Sequence, residues 1–268
     1  MPYPSHHAHP DGKSNPLPSS LKIVSYNIQV AMDTRHFRDY LTQSWKHLLP
    51  HRARMHNLDR IAHMLRDYDL VALQEVDAGS LRSGFLDMTE YLAHRGGFPY
   101  WYHQVNRNMG MLAQHSNGFL SRLDAVESRS FRLPGGPGRG AMLLEFGAAK
   151  GKLAVCSAHL ALGRRARTMQ LDFLGELIAD YRSVVVMGDL NAPADSLELR
   201  RFLERTGLQE PAADQLTYPS WRPRSKIDHI FVSDDLTVTS ERVLDYALSD
   251  HLPIVVEIAL PDDLRLAA

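Results

Sequence analysis

Residues 184–193 read VVVMGDLNAP: an apolar run, a glycine, then Asp189 and Asn191 on either side of Leu190. A short apolar run bounded by turn residues reads as a buried strand, so this segment predicts a strand that delivers a carboxylate and an amide at its end. The pattern recurs along the chain. Asn27 follows LKIVSY (21–26), Glu75 follows DLVALQ (69–74), His159 follows LAVCSA (153–158), and Asp250 and His251 come just before PIVVEI (253–258). Each of these ends has an ordinary reading by itself. Asp189-Leu190-Asn191 is then a hydrogen-bonded turn, Glu75 a surface carboxylate and Asp250-His251 a cap. Repetition at five strand ends predicts instead a shared rim where several strands bring polar groups to one point.

The other periodicities supply the layers. Apolar runs predict strands over 21–28, 100–105, 118–121, 152–157, 227–232 and 254–258, with a shorter run at 70–73. Helical spacing predicts helices over 52–68, 86–94, 168–181 and 196–206. Residues 131–146 enclose PGGPGRG (134–140), which reads as a hairpin loop or a longer mobile loop and lacks the Lys-Ser/Thr ending of a P-loop. Between the first strand and the first helix, residues 31–50 carry Phe37, Tyr40, Leu41, Trp45, Leu48 and Leu49. They predict an extra amphipathic helix that either packs on a sheet edge or caps the cleft beyond Asn27. Strands and helices do not alternate strictly, which favours a layered α/β protein over a doubly wound parallel sheet. The proline- and histidine-rich residues 1–20 predict a disordered tail, leaving one domain over 21–262.

Composition narrows the partners. The 268 residues hold 30 Lys+Arg against 31 Asp+Glu, a formal charge of −1, which excludes a polycation that grips nucleic acid by charge alone. Hydrophobic residues at 44% and charged ones at 23% are globular values. No apolar run approaches the ~20 residues of a membrane helix. Cys156 is the single cysteine, so an intrachain disulfide is impossible and a reducing, cytoplasmic setting is expected. The strand-end carboxylates and amide form a hard-oxygen set suited to Mg²⁺, with Mn²⁺ as the alternative, and no Cys/His pair has zinc spacing. Ser249-Asp250-His251 is not a serine-hydrolase triad, because no GxSxG elbow accompanies it.

The ordered set SYN (25–27), LQEVD (73–77), SNGFLSR (116–122), SAHL (157–160), GDLNAP (188–193), IDHIFVS (227–233) and SDHLPI (249–254) resembles the endonuclease/exonuclease/phosphatase superfamily. That group includes abasic-site endonucleases, DNase I-like nucleases, inositol polyphosphate 5-phosphatases and neutral sphingomyelinases. The resemblance implies a DNase I-like four-layer α/β sandwich with two packed mixed sheets flanked by helices. It also implies metal-assisted hydrolysis of a phosphate ester by in-line water attack, without a covalent intermediate. Carried onto this sequence, it makes Asn27 and Glu75 metal-site residues supported by Asp250. Asp189 and Asn191 would orient the water and the phosphate, and Asp228 would hold His251 against a phosphate oxygen. With His251, His159 would be a charge-bearing donor to the transition state.

A histidine at 159, where abasic-site endonucleases resemble one another in carrying a tyrosine-centred motif, is similar to the sphingomyelinase and phosphatase branches, and the chain as a whole resembles the bacterial phosphodiesterase and sphingomyelinase-like branches more than the abasic-site endonucleases. Arg167 is expected either to reach a substrate phosphate or to sit in a solvated helix start, and Asn117 either to touch the phosphate or to cap a turn. The expected partner is a phosphate-ester substrate: nucleic acid, a phospholipid head group or a small phosphodiester. No stable protein partner is implied, and a monomer is expected. A DNA endonuclease or exonuclease is the alternative within enzymes, and a catalytically silent binding module the alternative outside them.

Overall fold

A computed structural model describes residues 17–31, 51–108, 114–148, 151–211 and 215–265. In chain order the strands and helices are β1 (Ser20–Asn27), α1 (His51–Leu65), β2 (Leu70–Asp77), α2 (Met88–Gly96), β3 (Tyr100–Asn108), β4 (Gln114–Ser121), β5 (Glu127–Arg132), β6 (Gly140–Ala148) and β7 (Gly151–His159). They continue as α3 (Arg164–Leu177), β8 (Ser183–Asp189), α4 (Leu197–Thr206), β9 (Asp228–Val232), β10 (Thr237–Val243), β11 (Ile254–Ala259) and α5 (Asp262–Arg265). Six strands form one sheet in the order β10-β11-β1-β2-β4-β3, and five form another in the order β5-β6-β7-β8-β9. Both sheets are mixed: β1 with β2 and β7 with β8 are parallel, and their other pairings are antiparallel.

Side-chain alternation builds four layers. In β1, Leu21 and Ile23 face the core between the sheets, while Val24 and Tyr26 face α1 and α2 through Leu58, Ile61 and Leu92. In β8, Val185 and Met187 face the inter-sheet core, while Val184 and Val186 pack on Leu171, Leu174 and Phe202 of α3 and α4. Strands buried on both faces read as continuous apolar runs, which is why LKIVSY and VVVM stood out. Cys156 is fully buried on the helix side of β7, and burial pushes its thiol up to about 12, far from thiolate chemistry. No helix among the described residues is long and apolar enough to cross a membrane.

Some expectations shift. The helix read over 168–181 begins at Arg164, because its first turn carries arginines and no capping side chain and so lacks the usual start signal. Three strands were not predicted: β5 and β10 are edge strands with mostly exposed residues, so no apolar run marks them, and β6 fell in the segment read as enclosing a loop. Leu17, inside the stretch read as a tail, is already buried in the inter-sheet core, and β1 begins at Ser20. The amphipathic helix expected over 31–50 lies outside the described residues from 32 onward, as do residues 1–16 of the expected tail.

Register gathers the polar ends. His159 pairs with Asp189 across β7 and β8, and Asp189 pairs with Asp228 across β8 and β9, so these three stand side by side on three strands. The tight β7–β8 approach requires Gly188. Its φ is 142°, and a Cβ there would lie 1.9 Å from the Ala158 carbonyl oxygen. In the other sheet Ser25 pairs with Ile254, which brings Asn27 beside the turn before β11, where Ser249 Oγ donates to the Asn27 carbonyl over 2.7 Å.

Candidate active site

Asn27 sits at the centre of the rim. Its Nδ2 donates to Asp189 Oδ2 over 2.9 Å and approaches Glu75 Oε1 at 3.4 Å, while its Oδ1 accepts the Gln29 N–H at 3.1 Å. Asn27 was expected to offer an oxygen to a metal; it presents its N–H to the carboxylates and spends its oxygen on the next turn. Glu75 reaches the site because β2 is bulged between Leu73 and Val76, where Glu75 takes a φ of 55°. Asn191, also left-handed at φ 50°, returns its backbone N–H to Asp189 Oδ1 at 3.0 Å and donates its side-chain amide to the Leu160 carbonyl at 3.0 Å. Two such non-glycine conformations at one rim are stored strain of the kind that functional sites keep.

Across the rim, His251 Nδ1 bonds Asp228 Oδ2 at 2.8 Å, and Thr217 Oγ1 donates to that same oxygen at 2.6 Å. His251 Nε2 lies 3.8 Å from Asp189 Oδ2 and 4.0 Å from Asp250 Oδ1. Burial alone would lower His251, but the Asp228 and Asp189 carboxylates outweigh it and raise the imidazole to about 10, leaving a cation at neutral pH. Burial, reinforced by the charge of Glu75, raises Asp250 to about 6 against the pull of His251. Asp189 is likewise pushed up, first by burial and then by Asp228 and Glu75, against His251 and the Asn27 amide.

Donor atoms of Asp189, Asp228 and His251 lie within 4.8 Å of one another, a spacing that a metal ion could span. Two of the three are otherwise engaged, since Asp228 receives His251 and Thr217, and a protonated imidazole has no lone pair to give. Glu75 lies near enough to both Asp189 and Asp250 for its charge to raise each of them. Asp189 and Asp250 are buried carboxyls raised by burial and by the charge of Glu75, a condition that a divalent cation would relieve.

Beside this rim a cavity of about 270 Å³ is lined by Glu75, Asn117 and His159 together with Arg107, His115 and Arg139. Burial is the main cause that holds His159 well below its ordinary value, and the Arg139 guanidinium adds to it. His159 is therefore neutral, its 3.4 Å approach to Asp189 is not an ion pair, and the expectation of a charge-bearing donor fails. Asn117 is fully buried. It donates Nδ2 to the Gly140 carbonyl at 3.1 Å, while its Oδ1 has no hydrogen-bond partner among the described residues. Arg167 does not line the cavity. It is buried in α3 and holds Glu198 Oε1 through Nη2 at 2.8 Å and Nε at 3.2 Å, so it is a structural ion pair rather than a substrate contact. Sequence reasoning missed Arg107, His115 and Arg139. The signal available for Arg139 was a lone cation among the glycines of PGGPGRG.

A model described as the Endonuclease/Exonuclease/phosphatase family matches residues 24–251. Comparison with curated proteins finds no match. Among solved structures, an endonuclease/exonuclease/phosphatase family protein from Bacteroides thetaiotaomicron superposes with a TM-score of 0.68 at 18% identity, covering 91% of this chain and 99% of that one. A mannosyl-6-phosphatase from the same organism gives 0.66 at 19% identity over 90% of this chain and 100% of that one. The catalytic domain of human Nocturnin, with bound sulfate, gives 0.65 at 17% identity over 93% and 97%. At these identities the likeness is one of fold.

Proposed function

Because this chain belongs to the endonuclease/exonuclease/phosphatase family, whose members hydrolyse phosphoester bonds, we propose that it is a divalent-metal-dependent phosphate esterase working by direct water attack. The observation that carries the reading is the meeting of half-buried Glu75 and buried Asp189, bridged by Asn27, with the cationic His251 at one rim. A phosphate ester is anionic and repels a nucleophile, so its hydrolysis needs fixed positive charge and an aimed water. Mg²⁺, or Mn²⁺ in its place, would be held by the oxygens of Glu75, Asp250 and Asp189, and when bound it neutralises charge on the phosphoryl oxygens.

The remaining roles belong to the protein. Asp189, oriented by the Asn27 amide and the Asn191 N–H, accepts a proton from the attacking water. The water oxygen bonds to phosphorus and the P–O ester bond breaks. Its electron pair leaves with the alcohol oxygen, which takes up a proton from solvent. Asp228 fixes the His251 ring through Nδ1, so that Nε2–H points toward Asp189 and can donate to a non-bridging phosphate oxygen. The test is a panel of phosphate mono- and diesters, nicked duplex DNA and sphingomyelin, each with Mg²⁺ and with EDTA. Metal-dependent turnover of a phosphate ester that Asp189→Asn abolishes is expected. Absence of turnover across the panel, with Mg²⁺ still bound, would favour a silent binding module.

A further inference from the structure

We propose that Arg139 is the anion-binding residue that biases this site toward phosphomonoesters over phosphodiesters, with His159 acting as the positioning residue that holds its guanidinium. The proposal rests on the phosphoester-hydrolase reading above and adds to it a substrate class.

Arg139 Nη1 lies 2.6 Å from His159 Nε2. An arginine has donors only, so the imidazole must present its lone pair, and that nitrogen cannot also donate to a substrate. His159 stands on β7 next to Asp189 on β8, so this bond ties the guanidinium to the strand that carries the acid. The loop bearing Arg139 is fixed from its other side as well. The Leu133 N–H bonds the Arg139 carbonyl at 3.1 Å, and buried Gln170 of α3 donates to the Pro134 carbonyl at 2.9 Å. At Gly135, where φ is 86°, an added Cβ would lie 3.0 Å from Ala166 Cβ, so the loop rests directly on the first turns of α3. Arg139 is thus a half-buried cation whose position is set before any ligand arrives.

Its charge has no close counter-ion among the described residues. Among the described residues no carboxylate lies within ion-pair distance of Arg139, and the nearest acidic influences on it are Asp189 and Glu75, the groups expected to hold the cation. A partly desolvated charge without a paired counter-ion is costly unless a ligand supplies one. Arg107 lines the same cavity, and its side chain lies against the loop at Gly138. A monoester phosphate carries close to two negative charges at neutral pH and a diester carries one. Two guanidinium groups beside the metal-holding carboxylates therefore match the monoester better. The volume of about 270 Å³ is below the roughly 300–1,000 Å³ of pockets for drug-sized ligands, so it suits one terminal phosphate and its first substituent atoms.

The experiment compares p-nitrophenyl phosphate with bis-p-nitrophenyl phosphate on the full chain with saturating Mg²⁺, for the unmutated protein, Arg139→Gln and Arg139→Lys. In parallel, calorimetry measures inorganic phosphate binding, and thermal melts check the fold. The expected result is a higher kcat/KM on the monoester. Arg139→Gln should lower it by about 10–100-fold, the scale of a lost charge-assisted hydrogen bond, with a smaller loss on the diester and weaker phosphate binding. Arg139→Lys should recover part of each loss, because it restores charge without the fork. His159→Gln, which can still accept from Arg139 through its amide oxygen, should keep more of the monoester preference than His159→Leu. Turnover with equal losses on both esters, or with unchanged phosphate binding in Arg139→Gln, overturns the role of Arg139 and leaves the hydrolase reading standing. A diester preference in the unmutated protein overturns it too. No turnover of either ester by the unmutated protein overturns the monoester preference, and silence on nicked duplex DNA and sphingomyelin as well overturns the hydrolase reading with it.

Discussion

Asn27 and Asp189 end strands in different sheets, and a single amide hydrogen bond of 2.9 Å joins them. Sheet packing and site assembly are therefore one event: when the inter-sheet core of Ile23, Ala72, Val185 and Met187 closes, the Glu75 side meets the Asp189 side.

Asp189→Asn keeps the size of the side chain and one of its two accepted bonds, from Asn27 or from the Asn191 N–H, while removing the proton acceptor. Turnover should fall by about 10²–10⁴-fold, the usual worth of a positioned base. Because burial already opposes charge on Asp189, the melting temperature should hold or rise. Near-normal turnover in a folded variant would remove Asp189 from its proposed role.

Glu75→Ala should leave the fold intact and raise the Mg²⁺ concentration for half-maximal activity by at least about 10–100-fold. A metal titration superimposable on that of the unmutated protein would show that Glu75 holds no ion.

Glu145 gives a pH test away from the site. It is buried on β6 and accepts from Arg129 at 2.6 Å, Lys152 at 2.6 Å and Tyr181. Burial pushes its carboxyl up, but the bonds from Lys152 and Tyr181 outweigh that and hold it below its ordinary 4.5. A carboxyl lowered in the folded state stabilises above its unfolded value, and the gain disappears as pH falls through the lowered one. Glu145→Gln should therefore cost about 1–3 kcal/mol at pH 7 in urea melts, with the two curves converging below pH 4. A gap that stays constant with pH would contradict the linkage.

Arg167→Met separates structure from substrate binding. Breaking the buried pair with Glu198 should cost about 3–5 kcal/mol of stability and leave KM within about threefold, the scatter expected when no contact is lost. A large rise in KM with unchanged melting would return Arg167 to the substrate site.

What the sequence disclosed follows from burial. β1, β2, β7 and β8 are covered on both faces, so their apolar runs and polar ends were plain to read, and with them Asn27, Glu75, His159 and Asp189. The edge strands β5 and β10 face solvent and left no pattern. Arg167 misled because a helix opening in arginines looks solvated or ligand-seeking, and its buried partner Glu198 is a different helix away. The charge state of His159 depends on its burial and then on Arg139, which lies 20 residues earlier in the chain, and no local spacing encodes that meeting.

Gly188 has a consequence for anyone reading variation in this chain. With 1.9 Å between a would-be Cβ and the Ala158 oxygen, any replacement must wedge β7 from β8, and His159 and Asp189 would drift apart together. Mutational scans that score abundance and scans that score turnover should therefore agree at 188 and disagree one residue later, so that neighbouring positions separate the scaffold from the chemistry.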